Sequence, residues 1–332
     1  MGCKQCKPCE KNLSFKQRSF SQLKEAIDGN SSKKFQSTIA LIKHNFKDIS
    51  IIFDAPDINH KHLKLNSLCY SLIQGKHEAF SSLLNEGASI NKMNDLFESQ
   101  NLRALDIVCA KGYLEILKIL LPIYLESKSH NENMQSTVHF PDFEPEKSFP
   151  IQIATKSGMI QIISYIRSFF SGRENIPVEF DINAINPRTG ENCGLLACRY
   201  GNQLLLDFFY RTCNVDLRML NKDNENAVII CLQGFKKRRI YSYFNCVKYL
   251  IDVVKIDITY RYQFMINLAE CPDTIRLLTS KLAEEGINVD KTETANSPFR
   301  NFHENSQFSS ELGLPFSCNA RSTFGSAKDY LL

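Results

Sequence analysis

Short amphipathic stretches, separated by glycines, run through most of this chain. In the clearest copy, Gly75 precedes a predicted helix over 77–85 that carries a Leu-Leu pair, and Gly87 follows it. A second copy places Gly112 before a predicted helix over 113–126 with the same pair. Glycine suits these helix ends because it enters the left-handed conformation without a Cβ clash. A pattern that recurs at roughly 30–45 residues predicts stacked helical hairpins and not a compact catalytic domain.

The same pattern predicts a helical capping unit followed by six copies of the repeat. We expect the capping unit over 20–62, with helices over 21–28 and 33–46, the second of which carries one apolar stripe. The repeats are predicted over 63–95, 101–127, 149–183, 192–216, 226–258 and 264–290. Each is expected to contain two helices.

Several details of these repeats can be predicted from single residues. We expect Pro122 to bend or end its helix, because proline lacks the N–H of an interior helical position. Pro272 is expected to open a helix, where that N–H is not needed. The basic run 236–239 is expected to interrupt a helix pair, 227–234 and 246–254. We expect short hairpin segments at 89–91, 181–183 and 214–216.

Three segments lie outside the predicted repeats and have no sustained apolar period. We expect 1–19 to be a Cys-rich leader, 128–147 to be a surface insertion within a repeat domain of 63–290, and 291–332 to be a disordered tail. The predicted fold class is therefore all-α, a solenoid of about five to six helix-turn-helix repeats with short hairpins.

The repeat resembles the ankyrin repeat, in which two helices with a Leu-Leu pair lead through Gly-Ala-x-Ile-Asn into a hairpin. Residues 75–91 match that pattern closely, and 102–121 match it well. The family's Thr-Pro-Leu-His opening is altered at 66–69, 103–106 and 149–152, where only Pro150 keeps the proline. Tetratricopeptide repeats fit less well because they have an even period and no such hairpin.

The resemblance implies a concave surface of hairpin tips and first helices that binds another protein. It therefore implies a non-catalytic interaction scaffold or adaptor. The positions that the resemblance assigns to partner binding, as exposed tip and first-helix residues, are Lys92, Asn94, Arg103, Arg188, Glu191, Lys222 and Asn224. An alternative function is that of a structural component of a cytoskeletal or ciliary assembly.

Composition limits the class of partner and the cellular compartment that we expect for the protein. The 332 residues carry 40 basic and 36 acidic side chains, a balance that argues against nucleic acid as the default partner. Most of the 12 cysteines stand singly in apolar segments, which is typical of a reducing cytosol. No apolar run reaches the ~18–20 residues of a membrane span. We expect a soluble, cytoplasmic protein, with membrane association through its N-terminus as an option.

The N-terminus has the residue types of an acylation signal. Gly2, once Met1 is removed, is a candidate myristoyl acceptor, and Cys3 beside it is a candidate palmitoyl acceptor. Two chains would supply the two signals that stable anchoring needs. A second interpretation is metal binding, because Cys3, Cys6 and Cys9 have the spacing of zinc ligands, although a fourth ligand is missing nearby. The third interpretation is a free terminus with no role.

Other motifs point less clearly to a function. Lys236-Lys237-Arg238-Arg239 has the composition of a nuclear import signal or of a contact with an anionic surface, and equally of a solvated loop. We find no phosphate loop, nucleophile elbow or metalloprotease helix, so we expect no catalytic residues, no metal and no cofactor. An enzyme site within 128–147 has little support.

The intact mass of the protein from its own cells, measured with and without hydroxylamine, tests the acylation signal. We expect a myristoyl increment on Gly2 and a hydroxylamine-labile increment on Cys3, because a thioester is cleaved and an amide is not. An unmodified terminus would contradict the tether. A metal assay on Cys3, Cys6 and Cys9 would then be the next test.

Overall fold

The computed structural model of the chain describes residues 7–29, 31–129, 148–173 and 175–289. Within these ranges it contains sixteen α-helices and one two-stranded sheet, which confirms the predicted all-α class. The chain divides into two compact units, one up to Phe143 and one from Glu144 onward. This boundary falls inside the predicted insertion. No helix in the described ranges is long and apolar enough to cross a bilayer.

Helices of the first unit pair into hairpins that pack side by side. Helices α4 and α5 form one hairpin and α7 and α8 another, with α4 beside α7 and α5 beside α8. The elements are α1 (Lys7–Asp28), α2 (Ser32–Asn45), α3 (Ser50–Phe53), β1 (Ile58–His60), β2 (Leu63–Leu65), α4 (Ser67–Ile73), α5 (His77–Asn85), α6 (Ile90–Glu98), α7 (Ala104–Lys111) and α8 (Leu114–Ser129). The antiparallel β1 and β2 pair Ile58 with Leu65.

The apolar stripe predicted for α2 is buried. Phe35, Ile39 and Ile42 recur at three- and four-residue spacing and are at most 4% exposed, whereas Phe46, the last residue of the predicted stripe, caps the helix and is half-buried. Burial of such side chains stabilises the fold by about 1.5–3 kcal/mol each. Helix α1, which packs on α2, is also tied to α4, because the Tyr70 hydroxyl donates to Asp28 Oδ1 at 2.6 Å. The capping unit is therefore part of the same core as the first hairpin.

Two expectations for the first unit are wrong. Residues 89–91 do not open a hairpin: the Ser89 side chain accepts from the Lys92 backbone N–H at 3.3 Å and so caps α6. Of the two outcomes expected at Pro122, a bend or an end of the helix, the end is wrong, because α8 continues to Ser129. Packing on both sides of this proline outweighs the lost hydrogen bond, because Leu121 and Tyr124 are fully buried.

Two further features of the first unit differ from expectation. Helix α1 begins at Lys7, so residues 7–19 of the expected leader are helical. The β1–β2 hairpin, which spans the boundary between the predicted capping unit and the first repeat, was not anticipated, because three-residue strands are too short to show an alternating pattern.

Helix pairs of the second unit stack in two rows. Helices α9, α11, α13 and α15 lie next to one another in one row, and α12, α14 and α16 lie next to one another in the other. The helices are α9 (Pro150–Lys156), α10 (Ile160–Phe169), α11 (Cys193–Tyr200), α12 (Gln203–Arg211), α13 (Ala227–Arg238), α14 (Ser242–Tyr249), α15 (Tyr262–Leu268) and α16 (Pro272–Glu284). Pro272 opens α16, as predicted.

Close packing between helices in this unit depends on glycine. A Cβ on Gly234 would lie 2.3 Å from Tyr243 Cε1, and a Cβ on Gly201 would lie 2.9 Å from Tyr243 Cζ. Gly201 also ends α11 in the left-handed conformation, with φ of 66°. The buried Tyr243 ring fills this space, and its hydroxyl donates to the Arg199 carbonyl at 2.9 Å. Larger residues at both glycines would separate α14 from α11 and α13.

The basic run does not interrupt the helix pair as predicted. Helix α13 continues through Arg238 and ends at Arg239, which is left-handed with φ of 55°. The Arg238 guanidinium stacks 4.3 Å from the centre of the Tyr200 ring and so holds the last turn against α11. The segment 246–254 is also divided, because α14 ends at Tyr249 and a π-helical turn covers Leu250–Val254.

Candidate protein-binding surface

Three tight loops of the second unit lead into α11, α13 and α15, which belong to the row of helices that begins with α9. The loops lie along one edge of that row. We call them the first tip (184–192), the second tip (217–226) and the third tip (256–261). The Lys222 backbone N–H donates to the Thr189 carbonyl at 3.1 Å, which joins the first two tips. The Tyr260 hydroxyl and Arg261 both donate to the Asn224 carbonyl, at 3.0 and 3.2 Å, and join the third. The tips therefore form a continuous hydrogen-bonded row.

An asparagine within each of the first two tips organises the loop. The Asn186 side-chain oxygen accepts from the backbone N–H groups of Arg188 and Thr189, at 2.9 and 3.2 Å. The Asn221 side-chain oxygen accepts from those of Asp223 and Glu225, both at 2.9 Å. Such side-chain turns fix loop geometry without secondary structure. The two tips are therefore built alike.

A second asparagine at the end of each tip has two roles. Asn192 caps α11, because its side-chain oxygen accepts from the Leu195 N–H at 2.9 Å. Its side-chain N–H₂ donates to the Asp216 carbonyl at 2.8 Å. Asn226 makes the corresponding bonds, to the Ile229 N–H at 3.0 Å and to the Asp257 carbonyl at 3.2 Å. Each cap therefore also holds the beginning of the next tip, at Asp216 just before the second tip and at Asp257 within the third.

A buried glutamate precedes each capping asparagine. Glu191 is fully buried, and Arg199, eight residues later, donates to its carboxylate through Nε at 2.7 Å. Burial alone would lower the pKa of Arg199, but its hydrogen bond to Glu191 and the charge of that carboxylate raise it. Glu225 accepts from Asn221 at 2.9 Å and from Gln233, which is also eight residues later. These glutamates face inward and support the tips.

Cations and apolar side chains form the exposed part of the row. Arg188, Lys222 and Arg261 are exposed on successive tips. Ile185 and Leu220, which come directly before the two tip asparagines, are 54% and 40% exposed. Exposed aliphatic side chains of this size are unfavourable in water and become favourable when a partner covers them. The row therefore presents apolar positions beside positive charge.

The predicted partner-binding residues divide into two groups. Lys92, Arg188, Lys222 and Asn224 are exposed, and the last three lie on the first and second tips. Lys92 lies on α6 and not on a hairpin tip. The expectation of exposure is confirmed for these four, and their role in binding stays a prediction.

The other three predicted residues are buried, so the expectation that they are exposed is wrong. Asn94 is 1% exposed, because α6 forms where a hairpin was expected and turns this side chain inward. Arg103 is 9% exposed, and its Nε donates to Asp106 Oδ2 at 2.6 Å. Glu191 is bound to Arg199. Repeat position alone does not show which charged side chain has a partner a few residues further along.

Three residues of the surface were missed by sequence reasoning: Ile185, Leu220 and Arg261. The first two each stand immediately before an Asn that organises a tip, and this recurrence is the signal that would have found them. Arg261 has no such signal, because the third tip lacks the asparagine and glutamate of the other two.

The described residues offer little for redox or metal chemistry. They contain no group of three or more histidine, cysteine, aspartate or glutamate side chains that could hold a metal. Burial raises the pKa of the Cys109 and Cys231 thiols well above their ordinary range, which disfavours the reactive thiolate. The predicted acylation residues Gly2 and Cys3, and the side chains of Cys6 and Cys9, lie outside the described part of the chain.

Neither a scan against protein-family models nor a search of curated proteins gives a match to this chain.

The Glu191–Arg199 pair provides a test of the tip architecture. Arg199→Ala would leave a buried carboxylate without its cation, and we expect the free energy of unfolding to fall by about 2–3 kcal/mol in urea denaturation. This is less than for a fully buried pair, because Arg199 is one-third exposed. Glu191→Gln in the Arg199→Ala background should recover part of the loss.

The matched control is Gln233→Ala. It removes a neutral partner from Glu225, which keeps Asn221, so we expect a loss of about 1 kcal/mol. Equal losses for Arg199→Ala and Gln233→Ala would contradict the role given to the buried charge pair.

Proposed function

We propose that this protein is an ankyrin-like, non-catalytic interaction module that binds another protein through the tip row of its second unit. The observation that carries the proposal is the row itself, in which Ile185 and Leu220 are exposed at equivalent places beside Arg188 and Lys222. Hydrogen bonds hold these positions before any partner arrives, so binding requires little ordering of the loops.

The charge of the row favours an acidic partner segment. Glu191 and Glu225 are buried and bound to Arg199 and Gln233, so their carboxylates are not presented to a partner. Four exposed cations lie on the three tips, Arg188, Arg218, Lys222 and Arg261, against two exposed acidic residues, Asp223 and Asp257. Complementary charge contributes mainly to specificity and association rate, while apolar contacts supply much of the affinity.

A membrane tether would make such a module an adaptor. The Gly2-Cys3 start of the chain supports this part of the proposal. A module held at a membrane gains effective concentration towards partners on the same surface, without new contacts.

Comparative capture from the protein's own cells tests the surface. We expect Ile185→Ser/Leu220→Ser to reduce recovery of the bound protein at least about tenfold, because it removes the apolar contacts. Arg188→Glu/Lys222→Glu should reduce recovery similarly and make it less sensitive to salt. A photo-crosslinking residue at position 185 should join the same protein.

Leu204→Ser and Lys248→Glu are the matched controls, since Leu204 is 78% exposed on α12 and Lys248 is exposed on α14, both away from the tips. They should leave recovery unchanged. Recovery that falls equally in the tip variants and the controls, or crosslinking at position 204 but not 185, would contradict the proposed surface.

A further inference from the structure

Helix α13 is about one turn longer than α11, the equivalent helix beside it. Helix α11 ends at Gly201, whereas α13 continues past the equivalent position, Phe235, and ends at Arg239. The added turn places Lys236 and Lys237 in solvent. We call residues 236–241 the basic turn.

The four cations of the basic turn are not equivalent. Arg238 is engaged with the protein, because it stacks on Tyr200 and donates to the Tyr243 hydroxyl at 3.2 Å. Arg239 lies 4.0 Å from Glu270. Lys236 and Lys237 have no ion-pair partner among the described residues. The structure therefore anchors the end of the turn and leaves two lysines available.

Exposed apolar side chains continue directly from these lysines. Ile240 is 42% exposed and Tyr241 is 56% exposed. The Tyr241 ring packs against Phe244 with ring centres 5.2 Å apart, which orients an aromatic side chain beside the basic residues. The favourable interaction of cations with the C-terminal end of a helix accounts for lysine in the last turn. It does not account for an isoleucine and a tyrosine exposed next to them.

We propose that the basic turn is a contact site for an anionic lipid bilayer. Lysines near such a surface are attracted by its negative potential, and an adjoining aliphatic and aromatic pair can insert at the headgroup boundary. Tyrosine suits that depth, because its ring is apolar and its hydroxyl stays hydrated. Nucleic acid fits less well, because Tyr241 offers a ring for base stacking but the exposed Ile240 beside it would have no role.

This site is separate from the tip row and does not depend on acylation. Full-length protein made in bacteria, which carries no myristoyl or palmitoyl group, isolates the contribution of the basic turn. Its binding is measured by flotation with vesicles of phosphatidylcholine alone and with about one-third phosphatidylserine. We expect binding to the anionic vesicles only, and weaker binding as salt rises and screens the charges.

Two double variants separate the contribution of charge to vesicle binding from the contribution of apolar insertion. Lys236→Gln/Lys237→Gln should weaken vesicle binding about 30-fold, from the loss of two charges near the surface. Ile240→Ser/Tyr241→Ser should weaken it about tenfold, from the loss of apolar insertion. The controls are Lys33→Gln/Lys34→Gln, which removes two exposed lysines from α2, and Leu204→Ser, which removes an exposed leucine. Neither should change binding.

Three results would overturn the proposal. Equal binding to neutral and anionic vesicles would exclude recognition of the lipid charge. Equal losses in Lys236→Gln/Lys237→Gln and in Lys33→Gln/Lys34→Gln would show only a general effect of net charge. A loss with the lysine pair but none with Ile240→Ser/Tyr241→Ser would show electrostatic adsorption alone and would exclude insertion of the apolar pair at the headgroup boundary. Tip-row binding is unaffected by each result.

Discussion

The tip row of the second unit depends on two asparagines, Asn192 and Asn226. A helix leaves its first N–H groups without partners, and a loop on a surface leaves carbonyls that also need hydrogen bonds. The oxygen of each asparagine satisfies the helix, and its N–H₂ satisfies a carbonyl at the beginning of the next tip. A single amide therefore couples the start of one helix to the position of the following loop.

The first unit shows what happens without that second bond. Asn66 caps α4 by accepting from the Cys69 N–H at 2.8 Å, as Asn192 caps α11. Its side-chain nitrogen is buried and has no hydrogen-bond partner. The corresponding segment forms α6 and not a tip, and the Cys69 thiol contacts the Met93 carbonyl there. Tip formation therefore depends on the following segment as well as on the asparagine, which is why the proposed surface lies in the second unit.

Local sequence patterns predicted where most helices lie, and predicted helix ends and the burial of single side chains less well. Helix α5 has the predicted bounds, and the stripe of α2 is buried, because helical spacing is encoded within one turn. The extension of α13 and the continuation of α8 through Pro122 depend on packing from residues distant in sequence, which no local pattern shows. The exposure of Arg188 and Lys222 was predicted correctly. The burial of Asn94 was missed, because it depends on such packing.

Hydrogen exchange on Asn226→Ser tests the coupling by asparagine most directly. Serine can still cap α13, but its short hydroxyl cannot also reach the Asp257 carbonyl. The account predicts about tenfold faster exchange over 256–268, the third tip and α15, with little change in α13. Asn66→Ser, which removes an amide nitrogen that makes no hydrogen bond, is the matched control and should change exchange only slightly. Unchanged exchange over 256–268 in Asn226→Ser would contradict the account.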